Sequence, residues 1–70
     1  MELAERTKAL MDYLFGFDLK RCNEVAIEVA EEMNSMIPGV NWDRVDGSAF
    51  FSIASEALKK VQDRDPWLFL

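Results

Sequence analysis

DLKRCNEVAIEVAEEMNSMI, residues 18–37, falls in the longest run of the chain without glycine or proline. Its apolar residues keep helical time. Leu19, Cys22, Ala26, Val29, Met33 and Met36 follow one another at alternating steps of three and four. At ~100° per residue these six, with Val25, Ala30 and Ile37, share an arc of roughly 140°. Glu24, Glu28, Glu31 and Glu32 stand on the opposite side. A helix with one apolar arc must bury it, so the remainder of the chain is read as its cover.

Upstream, residues 2–15 predict a first helix, with Leu3, Thr7, Leu10, Leu14 and Phe17 on one face and Met11 beside them. Glu2 and Arg6 stand four apart with the acid first, the favourable order for a surface pair. Gly16 supplies the stop, because glycine tolerates the left-handed conformation that ends helices. Asp18 is placed to cap a second helix over 18–36 by accepting from its free N–H groups. So short a joint folds the two helices back on each other as a hairpin.

Downstream, Pro38 and Gly39 end the second helix. The segment PGVNWDRVDG, residues 38–47, is the longest connection, rich in turn residues. Val40, Trp42 and Val45 are expected to pin it to the end of the helices, with a single helical turn over 42–46. Asp46 or Ser48 caps a third helix over 48–64. Phe50, Phe51, Ile53, Ala54, Ala57, Leu58 and Val61 fill an arc of roughly 160°, with Ala54 and Ala57 at its middle, where small side chains let a neighbour approach. Pro66 stops this helix, and residues 65–70 form an apolar tail. The expectation is an all-α, three-helix bundle in one small domain.

Composition narrows the function. The chain has 70 residues, a net charge of −5, no histidine and one cysteine. A core of this size is marginal, on the order of 3–5 kcal/mol beyond its ordering entropy. One cysteine cannot bridge within the chain, so close helix packing or self-association has to compensate. The single thiol, with no signal-peptide pattern and no apolar run near the ~20 residues of a membrane span, predicts a cytoplasmic protein without a membrane partner. The acidic balance repels phosphate backbones and argues against nucleic-acid binding. A helix-turn-helix reading also fails, since about ten residues separate the second and third helices where that motif needs three or four.

Glu28-Val29-Ala30-Glu31 is the one spacing suggestive of metal chemistry, because it sets two carboxylates on adjacent turns. It resembles one half of the signature of all-α nucleoside triphosphate pyrophosphatases of the MazG type. That resemblance implies a magnesium site completed by an acidic pair on a later helix. Here the next acids, Asp43 and Asp46, fall in the loop, and Glu56 stands on the polar side of the third helix. An acidic face in solvent accounts for the same four residues. Cys22 lies on the apolar arc with no histidine to serve as its base, and Ser48, Ser52 and Ser55 have no oxyanion loop. Enzyme activity and a cofactor are not expected.

The tail carries the remaining signal. Trp67, Leu68, Phe69 and Leu70 follow a helix stop with no polar residue among them, and ends this apolar seldom face water. Ile27 adds to it, falling outside the apolar arc among Asn23 and Asn34. The expectation is a small acidic cytosolic protein-interaction module, an accessory or inhibitory factor acting by binding. It pairs as a homodimer through Ile27 and residues 67–70, and can engage a larger protein. Trp42 is a further candidate for partner binding.

Overall fold

The computed structural model describes residues 3–16 and 18–69. Among these the chain is all-helical, with helices α1 (Leu3–Phe15), α2 (Leu19–Met36) and α3 (Gly47–Arg64). Two single 3₁₀ turns, Trp42–Arg44 and Pro66–Phe69, complete it. The expected bounds of the three helices hold to within a residue at each end; the turn expected over 42–46 is the shorter Trp42–Arg44, and the tail forms a turn that was not expected.

The local reasons are those of the capping residues. Gly16 takes φ of 62° and closes α1, its N–H donating to the Asp12 carbonyl. Asp18 Oδ1 then accepts from the Arg21 N–H at 2.8 Å, capping α2. Gly39, at φ 80°, turns the chain after α2. Asp46, and not Ser48, caps α3, its Oδ1 accepting from the Ala49 N–H at 2.8 Å. Removing such a cap costs typically ~1 kcal/mol.

The α2 helix is central, packing along both α1 and α3. Its buried residues are Cys22, Val25, Ala26, Val29, Ala30 and Met33, which at ~100° per residue span an arc of roughly 140°. Two flanks are distinguishable. Ala26 lines a groove shared with α1 residues, whereas Glu28 and Glu32 reach α3. From α1 come Thr7 and Met11, fully buried, and from α3 come Phe50, Ala54, Ala57 and Val61. Thr7 can be buried because its hydroxyl donates to the Leu3 carbonyl one turn back, at 2.8 Å.

Several residues assigned to apolar arcs are exposed instead: Leu14, Leu19, Ile37 and Phe51. The first three occupy correct angular positions but lie in or beyond the terminal turns, past the ends of the core. Phe51 stands about 100° from Phe50, at the edge of a narrower arc than the sequence implied. Phe17 and the Glu2–Arg6 pair lie outside the described residues, at Phe17 and Glu2. Arg6 itself sits with its guanidinium 4.2 Å from the centre of the Phe50 ring and donates to the Trp42 carbonyl.

Loop 38–47 is fastened as expected. Trp42 is 7% exposed, its indole N–H donates to Asn34 Oδ1 at 2.8 Å, and its ring meets Phe50 edge-on with 6.3 Å between centres. Val40 and Val45 pack partly buried against the same core.

Ala54 and Ala57 are both fully buried, so no space remains for a longer side chain. Ala57→Leu should overpack the α2–α3 contact and lower stability by roughly 1–3 kcal/mol, measured by urea denaturation. An unchanged midpoint would show that this face of α3 has room to spare.

Candidate interaction surface at the hairpin end

The tail crosses the end of the helices where α1 turns into α2. It leaves α3 at Asp65, whose N–H donates to the Val61 carbonyl, and folds into the 3₁₀ turn Pro66–Phe69. There the Leu68 carbonyl accepts from Arg21 Nη1 of α2 at 2.9 Å. Phe69 then meets Phe15, the last residue of α1, edge-on with 6.0 Å between ring centres. One short apolar segment thereby touches all three helices.

This arrangement divides the tail. Leu68 and Phe69 are half-buried against the core of their own chain. Trp67 points the other way and is 62% exposed. Leu70 lies outside the described residues. Leu19, 67% exposed at the start of α2, and Phe15, 41% exposed, add apolar surface at the same end of the molecule. Neither was legible as surface in the sequence, because helical periodicity assigns an angle and says nothing about depth along the axis. The position of Leu19 immediately after a cap was the available signal.

Ile27 is 49% exposed, as its place outside the arc implied. It borders a groove between α1 and α2 on the side away from α3. The larger part, about 500 Å³, is lined by Glu5, Lys8, Ala9 and Asp12 of α1 with Leu19 and Cys22 of α2. A smaller part, sharing Glu5 and Lys8, runs on to Ala26 and Ile27. Trp42, at the other end of the helices, is committed to the core and offers little surface.

Glu28 of the acidic spacing on α2 is engaged by a basic side chain. Arg64 of α3 donates through Nη2 to Glu28 and through Nη1 to Glu32, each at 3.1 Å, and through Nε to Asp65 at 3.0 Å. The Asp65 hydrogen bond foremost, with the nearby charges of Asp65, Glu32 and Glu28, holds the guanidinium above its ordinary pKa. Glu28 is thus paired with Glu32, one turn on, and not with the exposed Glu31. No group of three or more His, Cys, Asp or Glu able to hold a metal occurs among the described residues. No helix described is long and apolar enough to cross a membrane.

Cys22 forms part of the groove floor but is only 2% exposed, and its thiol donates to the Lys8 carbonyl at 3.3 Å. Burial pushes its pKa up, and the Asp12 carboxylate adds to the shift.

The chain matches no protein-family model, no curated protein and no solved structure. Its own geometry therefore carries the functional argument.

The raised Cys22 pKa favours the neutral thiol in the folded state, so this contribution to stability is complete below the ordinary cysteine pKa and declines as pH rises through the folded value. Native protein should accordingly react with a thiol reagent only as fast as it opens, even in mild alkali where a peptide thiol ionises. Labelling at the rate of a free peptide thiol would place Cys22 in solvent.

Proposed function

We propose that this chain acts by binding: a small acidic protein-interaction module that pairs with a second copy of itself through its hairpin end and can cap a larger protein as an accessory or inhibitory factor. The observation that carries this reading is Trp67. Its neighbours Leu68 and Phe69 turn inward and cover the end of the core, while the indole is left 62% exposed at the same end of the molecule as Leu19 and Phe15. A segment that only closed its own end would have no use for an outward tryptophan. Large aromatic side chains dominate the energetics of protein contacts because they bury much area at small entropic cost.

Size supports the same reading, since a 70-residue chain gains more from further apolar burial than a larger one does. A cytosolic setting accords with a single cysteine held as a buried thiol. The pyrophosphatase-like alternative rests on Glu28 and Glu31, and the Arg64 contact to Glu28 gives it no support.

Sedimentation equilibrium from micromolar to near-millimolar concentration provides the test. The intact chain should associate, and Trp67→Ser should return it to the monomer mass with its helical circular dichroism intact. Burial of each Trp67 would contribute about 1.5–3 kcal/mol to the pair, so the variant should also melt lower at high concentration. A wild-type chain that stays monomeric throughout would contradict the proposal.

A further inference from the structure

Resting on that reading, we propose where the partner copy is received: Trp67 of each chain seats in the groove between α1 and α2 of the other, a reciprocal insertion about a twofold axis. Three observations converge on this pairing. The first is location. The tail meets Phe15 at the end of α1 and Arg21 near the start of α2, and the groove's larger part reaches Asp12 and Leu19 of those same helices. Projection and receptacle adjoin one end of the molecule, so a single twofold axis through that end brings each to the other. An isologous contact of this kind closes on itself and leaves no unpaired surface to propagate.

The second is the character of the groove. Its volume of about 500 Å³ lies in the range of clefts that accept a ring system, roughly 300–1,000 Å³. Small side chains, Ala9 and Ala26, let a flat indole approach the helix backbones. Charges of both signs, Glu5, Lys8 and Asp12, stand along its rim, so a second acidic chain is not met by a field of one sign.

The third is area. Taking roughly 150–250 Å² for each large side chain, the exposed fractions of Trp67, Leu19, Phe15 and Ile27 leave about 330–550 Å² of largely apolar surface per copy. A standard interface covers about 800 Å² on each partner, a little over half of it apolar. These four residues therefore supply what a stable dimer needs. The depression along α3, lined by Ser48, Phe51, Ser52, Ser55, Glu56 and Lys59, includes no residue of α1 or α2, the two helices at whose joint the tail lies.

Two variants and their mixture test the arrangement by sedimentation. Trp67→Ser removes the projection and keeps the groove. Ala9→Glu keeps the projection and places a carboxylate in the receptacle, at an exposed helix position where circular dichroism should show the fold unchanged; Ala9→Gln supplies the same bulk without the charge. Each variant alone should dissociate at least tenfold more readily than wild type. An equimolar mixture of Trp67→Ser and Ala9→Glu should associate more tightly than either component, because the hetero-pair regains one complete seat. If Ala9→Glu and Ala9→Gln associate like wild type while Trp67→Ser does not, the chain pairs through Trp67 but not in this groove. Failure of the mixture to recover would also overturn reciprocal insertion. A monomeric wild type would overturn the binding reading itself.

Discussion

Burial of the apolar arc of α2 is the constraint on which the rest of the structure depends. Val25, Val29 and Met33 are fully buried between the two flanking helices, and neither flank has a comparable surface to offer the other. Domains of this length are stable by only about 0.05–0.15 kcal/mol per residue, and truncating one buried Met or Leu costs about 2–5 kcal/mol. One poorly packed position on α2 would therefore remove a large share of the total. The alanines follow from the same constraint. Ala26 and Ala30 on α2, and Ala54 and Ala57 on α3, are buried in the same core as the valines and methionines, where small side chains allow close packing.

The two ends of the helices are closed by different chemistry, and that difference sets the surface. At one end Trp42 is fixed by polar and aromatic contacts together: Asn34 accepts from its indole, Phe50 meets its ring, and Arg6 reaches its carbonyl across the Phe50 face. Trp42 itself is thereby left with little surface, although Ile37 and Phe51 stay exposed nearby. At the other end the lid is a 3₁₀ turn whose contacts include Arg21 at the Leu68 carbonyl and the Phe15–Phe69 edge contact. Four residues cannot present every side chain inward. With Leu68 and Phe69 turned to the core, Trp67 is directed out. One outward side chain is thus a consequence of closing the core with so short a segment; that it is an indole is not, and binding would give it a use.

The fold was legible in the sequence because its signals were local and redundant. Gly16, Asp18, Pro38 and Asp46 mark helix ends by backbone chemistry that tertiary packing does not override. The loop anchor Trp42 was legible for a similar reason, as an isolated large ring in a polar segment. Depth was not legible. Leu14, Leu19 and Ile37 repeat with the same period as buried residues, and only the three-dimensional ends of the core separate them from Val25 or Met33. The partners of charged groups were equally hidden. Glu28 and Glu31 attracted notice as a pair by spacing, yet the residue that engages Glu28 is Arg64, thirty-six positions along the chain. The candidate surface was therefore half visible: Ile27 and Trp67 by their misplaced hydrophobicity, Phe15 and Leu19 only once the tail had been placed.

If α2 is the element the others depend on, its interior amides should open only when the whole chain unfolds. Native-state hydrogen exchange reads this directly. At a concentration where the chain is monomeric, amides from Val25 to Met33 should exchange with the free energy of global unfolding. Those of α1 and of the Pro66–Phe69 turn should exchange at lower cost. Amides of α2 that exchange more readily than those of α1 or α3 would contradict the account.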